Sequence, residues 1–323
     1  MPRVLLFGAG AVGSVYAYIL SRSSQLTAVC RSNFAACSAN GFRIQSSLFG
    51  SVSCHPTVVR SVSDAVPDGP FDYIVIASKA FPGSKPSTAE TVQPAVGTKT
   101  AIVLLQNGIG IEEEYQKAFP QNPIVSTVVY CPATEIESGL VRHGEIEKLE
   151  VGIYPADARE EHRKAGMDFV ALIQAGNGTA VWFEDVQVQR WSKLLVNGSW
   201  NPICALSKSS DVKFMRAADG NVAFVREVMV EIMNIAQAYG YKTIDEKHLD
   251  WQLGRAKARM EGDGIEPSML ADVKLGRRIE VEAIVGNTIQ MAERKGVKVN
   301  FLRAIYALAK ALDESIARDI AKK

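Results

Sequence analysis

Three polar side chains recur at every fourth position of one stretch: Lys193, Asn197 and Asn201. The surrounding residues, Trp191–Leu206, have the pattern of a helix, and on a helix each step of four residues rotates the side chain by only ~40°. We call these three residues the polar row, because they are expected to point to the same side. One cation and two amides on one face suit a polar small molecule that carries a carboxylate and hydroxyl groups.

An ammonium group in such a row can serve carbonyl chemistry. Reduction of a ketone needs a hydride donor and a proton for the developing alkoxide, and a lysine can both stabilise that oxygen and protonate it. Lys193 is therefore the candidate proton donor, with a solvated lysine on an amphipathic helix as the alternative. Pro202 follows Asn201, so we expect the helix either to break or to end there.

The carboxylate that would orient Lys193 is not singled out by spacing. Glu280 lies on a predicted helix, Leu275–Lys295, and Asp272 and Glu282 fit the same role equally well. Periodicity alone leaves these three acids open.

The N-terminal segment contains the GxGxxG pattern of a dinucleotide-binding turn, placed between an apolar run and a helical pattern. Gly8 allows the tight turn, Gly10 lets the backbone approach a pyrophosphate, and Gly13 lets the helix pack closely on the strand. Ala11 and Val12 open the helix, whose N-terminus favours phosphate groups. A glycine-rich turn without a ligand has the same letters, and it is the strand-to-helix context that favours dinucleotide binding.

The residues after the second predicted strand bear on the choice of cofactor. An NAD site usually has an acid there for the ribose 2′-hydroxyl, and this chain has Cys30-Arg31-Ser32-Asn33 instead. The guanidinium of Arg31 suits a 2′-phosphate. The sequence therefore favours NADP(H), with a solvated loop arginine as the alternative.

Two more polar residues follow apolar runs, at the strand ends where ligands of parallel sheets bind. Lys79 follows DYIVIA, and Asn107 follows AIVLL and precedes Gly108. We expect the Asn107 amide to contact the nicotinamide or its ribose, with an ordinary Asn-Gly turn as the alternative.

Hydrophobic periodicity predicts two domains. Repeated βα units over residues 1–185 favour a Rossmann-type, doubly wound parallel sheet, with late strands near residues 140–154 and 179–183 that leave antiparallel pairing open. Residues 186–323 have helical periods and no clear strand, so the fold class is α/β with an all-helical C-terminal domain. The predicted helices there are Gln189–Leu206, Asn221–Tyr239, Lys247–Met260, Leu275–Lys295 and Phe301–Ile320.

Composition excludes several classes of function. Lysine and arginine total 36 against 35 acidic residues, and a net charge of +1 gives no field for nucleic acid or an anionic membrane. No run of about 18 apolar residues would span a bilayer. The four histidines are too far apart for a metal motif, and the five cysteines form no CxxC pair. We therefore expect no metal site, and reduced thiols in a cytoplasmic protein.

Together these motifs resemble the ketopantoate reductase family (2-dehydropantoate 2-reductase) over essentially the whole chain. The resemblance rests on the glycine pattern and on six further segments. These are SKA from Ser78, LLQNGIG from Leu104, KLLVN from Lys193, NPICAL from Asn201, PSMLAD from Pro267 and RIE from Arg278. Each segment is short, and their combination is specific.

The resemblance implies roles in the chemistry. Lys193 matches the family's proton donor, and Glu280 matches the carboxylate that positions it. Asn197, Asn201 and Ser268 match the substrate-binding groups.

The resemblance also implies the cofactor and the reaction. Arg31 matches the basic position that selects NADPH, and Lys79 and Asn107 match residues that line a cleft between a Rossmann domain and a helical domain. The implied reaction is hydride transfer to C2 of 2-dehydropantoate, which gives (R)-pantoate for pantothenate and coenzyme A biosynthesis in the cytoplasm.

The chain departs from the family pattern at three places. Cys204 stands where threonine is frequent, Asp211 stands where some members have an amide, and Val299-Asn300 replaces a usual proline. An acid that points into the substrate site would disfavour an anionic substrate. These departures leave the exact 2-oxo acid open.

Other interpretations also stay open. A non-catalytic NADPH sensor would keep the glycine turn without needing a proton donor such as Lys193. A sugar-phosphate dehydrogenase would need arginines near the polar row, and Arg190 and the pair Arg277-Arg278 are candidates. A homodimer is equally open, because the long predicted helices have apolar faces that either a second copy or the same chain can bury.

Overall fold

The computed structural model describes residues 1–322, which divide into two compact units. The first unit comprises residues 1–79, 83–107 and 112–186, and the second comprises residues 80–82, 108–111 and 187–322. Two short segments thus leave the first unit just after Lys79 and Asn107. That residues 1–185 and 186–323 act as a cofactor domain and a substrate domain stays a prediction.

The first unit alternates strands and helices. Its strands are β1 (Arg3–Phe7), β2 (Gln25–Val29), β3 (Phe42–Ser46), β4 (Gly50–Cys54), β5 (Thr57–Val59), β6 (Tyr73–Ile76), β7 (Ala101–Leu104), β8 (Ile124–Tyr130), β9 (Ala133–Glu137), β10 (Leu140–His143), β11 (Lys148–Tyr154) and β12 (Ala180–Trp182). Its helices are α1 (Ala11–Ser21), α2 (Phe34–Asn40), α3 (Val62–Ala65), α4 (Thr88–Val92), α5 (Glu112–Ala118) and α6 (Glu160–Ala175).

Eight strands form the main sheet, in the order β12-β11-β8-β7-β6-β1-β2-β5. All neighbours are parallel except β8 and β11, which pair antiparallel, and β12 runs parallel to β11. The chain proceeds outward from β1 in one direction through β2 and in the other through β6. The C-terminal ends of β1 and β6 are therefore a topological switch point, where open α/β sheets bind their ligands.

A second, four-stranded sheet, β4-β3-β10-β9, packs on α1. Phe42, Ile44 and Val141 from this sheet share a buried core with Val15 and Tyr16 of the helix. The body of α1 from Gly13 onward is consequently buried between the two sheets, while Gly10 at its start stays exposed.

The second unit is all-helical, so the predicted fold class is confirmed. Its helices are α7 (Val186–Ser207), α8 (Asp211–Ala217), α9 (Asn221–Ala238), α10 (Glu246–Lys257), α11 (Ser268–Lys274), α12 (Asn287–Lys295) and α13 (Asn300–Ala321). The short helices α8 and α11 were not predicted, because seven residues hold too few periods to give a pattern. No helix within residues 1–322 is both long and apolar enough to cross a membrane.

The predicted helix Leu275–Lys295 was wrong over its first part. The left-handed backbone of Gly276 (φ 62°) follows the end of α11, and helical structure resumes only after Glu280. A π-helical turn, Glu282–Gly286, then leads into α12. Glu280 therefore lies in a non-helical segment directly in front of a helix, and π turns of this kind are frequent at functional sites.

The expected break at Pro202 was also wrong, because α7 runs through it to Ser207. Proline cannot donate to the carbonyl of Gly198, which costs one backbone hydrogen bond. Trp200, Ile203, Cys204 and Ala205 are buried in the core of the second unit. Tertiary packing therefore outweighs the local penalty.

Candidate active site

The glycine turn of the first unit contains one glycine, Gly10, at which the folded protein has room for a side chain. Gly8 has a φ of 104°, and a Cβ atom there would lie 2.1 Å from the backbone nitrogen of Ser78. A Cβ on Gly13 would lie 2.0 Å from the carbonyl oxygen of Gly8. A Cβ on Gly10 would meet no protein atom within 4 Å. The open space over Gly10 fits a pyrophosphate that approaches the backbone closely.

Local hydrogen bonds hold this turn in place. Asn33 Nδ2 donates to the carbonyl oxygen of Ala9 at 2.6 Å, and Ser14 Oγ donates to that of Gly10 at 2.8 Å. Helix α1 begins at Ala11 and Val12 with no side chain capping its N-terminus in the described structure. Its first backbone N–H groups are therefore available to an anion.

Two arginines follow neighbouring strands at this end of the sheet. The backbone N–H of Cys30 donates to the carbonyl of Val59 at 2.9 Å, so Arg31 and Arg60 come just after the paired ends of β2 and β5. Both are exposed, and neither forms an ion pair within residues 1–322. Arg60 was not predicted, because the pairing of β5 with β2 is not visible in a linear pattern.

Aromatic rings support these two guanidinium groups. That of Arg31 lies 5.3 Å from the ring centre of Phe7, and that of Arg60 lies 4.0 Å from that of Phe34. Stacking on a ring limits the freedom of a guanidinium group without using its hydrogen-bond donors. The pair is thus suited to bind a phosphate.

The loops after β6 and β7 are joined to each other. Gln106 Nε2 donates to the carbonyl oxygen of Ser78 at 2.9 Å, and Tyr115 OH donates to Gln106 Oε1 at 3.2 Å. Lys79 and Asn107 come directly after these two joined residues and are partly buried. Structure thus places both at the C-terminal edge of adjacent parallel strands, as their positions in sequence predict.

The polar row lies along α7 in the second unit. Lys193 and Asn197 are partly buried, and Asn201 is buried. The Asn201 Oδ1 atom accepts from the backbone N–H of Met269 at 3.1 Å and from Ser268 Oγ at 3.3 Å. Because a backbone N–H can only donate, the contact with Met269 fixes which end of the Asn201 amide is oxygen. The Nδ2 group then points away from Met269 and can donate to another partner.

A cavity of about 230 Å³ brings the three predicted substrate-binding residues together. Asn197, Asn201 and Ser268 all line it, although Ser268 is 67 residues away from Asn201 in the chain. Lys193 lies one helical turn before Asn197 on the same face of α7. Trp200 and Ile265 contribute apolar wall.

Glu280 is held by a fixed segment of the second unit. Its Oε1 atom accepts from the backbone N–H of Ala80 at 2.9 Å. Two residues earlier, Arg278 forms a two-pronged pair with Asp313, with an Nε–Oδ1 distance of 2.8 Å, and the N–H of Ile279 donates to the same carboxylate at 3.0 Å. Hydrogen bonding to Asp313 raises the pKa of Arg278.

One of the alternative acids for orienting Lys193, Glu282, is bound to other groups in the structure. Glu282 accepts from Tyr306 OH at 3.0 Å and forms an ion pair with Lys310 at 2.9 Å, both of them on α13. Burial is the main cause that raises the pKa of Tyr306, and its hydrogen bond to Glu282 raises that pKa further. Glu282 therefore contributes to packing between α13 and the π turn.

The two departures near the polar row have different surroundings. Asp211 is buried and lines the cavity, where its carboxylate pairs with Arg259 Nη2 at 2.5 Å and accepts from the N–H of Ile265 at 2.6 Å. Its charge is thus compensated within the protein. Cys204 is fully buried in the core, and burial is the main cause that raises the pKa of its thiol to about 12.

Two of the three arginines that could have bound a sugar phosphate are engaged elsewhere. Arg190 is buried and donates to the carbonyl of Gly108 at 2.9 Å, and Arg278 pairs with Asp313. Instead, Arg255 and Arg259 line the cavity. Neither arginine was predicted, because nothing in a linear pattern indicates that α10 packs against this part of α7.

Comparison with known proteins identifies the family of the chain. The profile described as ketopantoate reductase PanE/ApbA matches residues 4–156, and the profile of its C-terminal domain matches residues 185–313. The chain belongs to the ketopantoate reductase family. It is thus an oxidoreductase of a family that uses a nicotinamide cofactor.

Individual relatives of this ketopantoate reductase family member extend over nearly the whole chain. The 2-dehydropantoate 2-reductase of Mesorhizobium japonicum is 28% identical, and the match covers 96% of this chain and 97% of that one. The crystal structure of 2-dehydropantoate 2-reductase from Methylococcus capsulatus has a TM-score of 0.83 at 28% identity, covering 97% of both chains. A D-mandelate dehydrogenase with NADH and anilino(oxo)acetate shares the fold, with a TM-score of 0.84 at 18% identity, covering 98% of this chain and 99% of that one.

Proposed function

We propose that the protein reduces a 2-oxo acid to a D-2-hydroxy acid with NADPH, and that its substrate is 2-dehydropantoate, reduced to (R)-pantoate. The observation that carries this proposal is the cavity that collects Asn197, Asn201 and Ser268 on the face of α7 that also bears Lys193. A sensor that only binds NADPH would have no use for such a polar cavity beside a lysine.

The first unit would hold the cofactor, which supplies the hydride when bound. Gly8, Gly10 and Gly13 shape the turn for the pyrophosphate, with the start of α1 behind it. Arg31, together with Arg60, would bind the 2′-phosphate and so select NADP(H) over NAD(H).

The remaining cofactor contacts of the first unit would be polar and local. Lys79 and Asn107 would contact the nicotinamide half, because both follow strands at the C-terminal edge of the sheet. Support for this assignment is the shared hydrogen bonding of the residues just before them.

In the second unit Lys193 would donate the proton. Its ammonium would stabilise negative charge on the substrate oxygen and then protonate it as the hydride arrives at C2. Glu280 would orient that ammonium, which explains why a fixed segment, anchored on Asp313, carries this acid.

The polar row and Ser268 would bind the oxygens of the substrate. The amide orientation of Asn201 is set by Met269 and Ser268, so its Nδ2 donor would be aimed before the substrate arrives. Preorganised donors of this kind stabilise developing charge better than mobile ones.

A different 2-oxo acid is the second candidate, and the apolar wall of the cavity supports it. Trp200 and Ile265 offer contacts to a branched or aromatic side chain. A test is NADPH oxidation, followed by absorbance, with 2-dehydropantoate and with a panel of branched and aromatic 2-oxo acids, each repeated with NADH. We expect fast oxidation with 2-dehydropantoate and NADPH. Activity only with an aromatic acid would show that the substrate is an aromatic 2-oxo acid instead of 2-dehydropantoate. Binding of NADPH without any turnover would favour a non-catalytic NADPH sensor.

A further inference from the structure

The wall of the substrate cavity carries three charged side chains: Asp211, Arg255 and Arg259. The Asp211 carboxylate and the Arg259 guanidinium lie 2.5 Å apart and compensate each other. The carboxylate also accepts backbone N–H groups from Val212 and Ile265 at 2.8 and 2.6 Å, which leaves it little capacity to repel a ligand. The cavity therefore has the net charge of Arg255.

Arg255 is held by neutral groups. Its Nη1 atom donates to Gln252 Oε1 at 3.3 Å, and the buried Gln252 in turn donates to Ser192 Oγ at 3.2 Å, on α7. The guanidinium carbon lies 5.2 Å from the ring centre of Trp251. Within residues 1–322 no carboxylate pairs with Arg255, so most of its five N–H donors are available to a ligand.

The rest of the cavity is suited to an apolar group. Val196, Trp200, Ile265 and Pro267 also line it. A ligand that fits has one negative charge, hydrogen-bonding oxygens and a compact hydrophobic side chain. In the wall of this cavity a dianion such as a sugar phosphate would meet only one uncompensated cation, Arg255.

We propose that Arg255 binds the carboxylate of the 2-oxo acid, and that this residue makes the enzyme specific for monoanionic 2-oxo acids with an apolar side chain. The inference rests on the proposed function for the identity of the ligand. Asn201 and Ser268 then bind the remaining substrate oxygens, and the Asp211–Arg259 pair forms a neutral wall.

The test is calorimetric titration of the full protein, with NADP⁺ present so that no reduction takes place. The probes are 2-dehydropantoate and its lactone, which lacks the carboxylate. The variants are Arg255→Gln, Arg255→Lys and, as a control, Lys257→Gln, which removes an exposed charge of the same sign from the same helix.

We expect Arg255→Gln to raise the Kd of 2-dehydropantoate roughly 10- to 100-fold, as for loss of a charge-assisted hydrogen bond. The Kd of the lactone should change less than about twofold, because the lactone offers no carboxylate to Arg255. Arg255→Lys should fall between the wild type and Arg255→Gln, since lysine keeps the charge and loses the planar fork. Lys257→Gln should bind both probes as the wild type does.

Equal weakening of acid and lactone, or unchanged binding of the acid to Arg255→Gln, would overturn the inference. These results are distinguishable from failure of the proposed function. If the wild type binds the acid through Arg255 but never oxidises NADPH with it, the reductase proposal fails and the anion site stands. If the wild type reduces the acid and Arg255→Gln does so with the same KM, the reductase proposal stands and the anion site at Arg255 fails. A wild type that binds no 2-oxo acid contradicts both.

Discussion

At the scale of single residues, the row of Lys193, Asn197 and Asn201 shows how much a spacing can convey. Three side chains four residues apart were predicted to share a face, and α7 is continuous through all of them. Their partners could not be predicted in the same way. Ser268 reaches Asn201 across 67 residues, and Arg255 reaches the same cavity from α10, through contacts that only the folded chain creates.

Replacement of Lys193 by alanine tests the proton donor. We expect kcat to fall by about 10²- to 10⁴-fold, because removal of a general acid costs this much in rate. The Kd of NADPH, measured by its fluorescence, should stay unchanged. Lys298→Ala, which removes an exposed lysine of the second unit, serves as the control. Near-normal turnover in Lys193→Ala would show that another group delivers the proton.

Replacement of Arg31 and Arg60 by glutamine tests the choice of cofactor. Each change should raise the Kd of NADPH about tenfold or more and leave that of NADH nearly unchanged, because only NADPH carries a 2′-phosphate. Arg22→Gln removes a charge from an exposed arginine of the same unit and should alter neither. Equal losses for the two cofactors would contradict a phosphate contact.

At the scale of elements, the most apolar strands and four of the five predicted helices of the second unit could be predicted from periodicity, and the start of the helix near Glu280 could not. Apolar runs predicted β1, β6 and β7 closely. The helix was predicted to begin at Leu275 and begins only after Glu280, because Asp313, on α13, binds Arg278 and Ile279 in the non-helical segment before it. Helix α7 passes through Pro202 for a similar reason, since burial in the core outweighs one missing hydrogen bond.

Alanine at Gly8 and at Gly10 separates the needs of the fold from those of the ligand. Gly8→Ala places a Cβ in a left-handed backbone 2.1 Å from Ser78, so we expect the free energy of unfolding to drop by about 2 kcal/mol or more. The added methyl group of Gly10→Ala meets open space, so the free energy of unfolding should stay within about 0.5 kcal/mol of the wild-type value. NADPH should nevertheless bind Gly10→Ala about tenfold more weakly, because the methyl group occupies the place of the pyrophosphate.

Urea unfolding with and without NADPH measures both effects. A Gly10→Ala variant that binds NADPH as tightly as the wild type would show that no phosphate approaches this backbone.

The contact between α7 and α10 should make stability depend on pH. Ser192 Oγ lies 2.7 Å from His248 Nε2, and burial lowers the pKa of His248 from its ordinary value of 6.5. The neutral imidazole therefore contributes stability above about pH 6.5, and this contribution is lost as the pH falls through the folded pKa.

Glutamine at position 248 cannot be protonated. We expect the wild type to lose more free energy of unfolding than His248→Gln between about pH 7.5 and 5.5. Urea titrations at the two pH values measure the difference, and His55→Gln, at an exposed histidine, controls for general effects. Identical losses in the wild type and His248→Gln would show that this histidine does not titrate differently on folding.

At the scale of the whole molecule, the fold class and the family could be predicted from the order of motifs along the chain. The α/β first part and the all-helical second part follow from period alone, and the family profiles cover residues 4–156 and 185–313. The individual substrate does not follow from this level. We propose that it depends on the charges and the apolar wall of one cavity, where Arg259 compensates the charge of Asp211 and no carboxylate pairs with Arg255 within residues 1–322.

Hydride transfer to C2 is the central claim, and isotope transfer tests it most directly. The purified protein is incubated with 2-dehydropantoate and NADPH that carries deuterium at the transferable C4 position, and the product is analysed by mass spectrometry and chiral chromatography. We predict (R)-pantoate with one deuterium at C2. Recovery of unchanged 2-dehydropantoate, or of pantoate without deuterium, would contradict the proposed reaction.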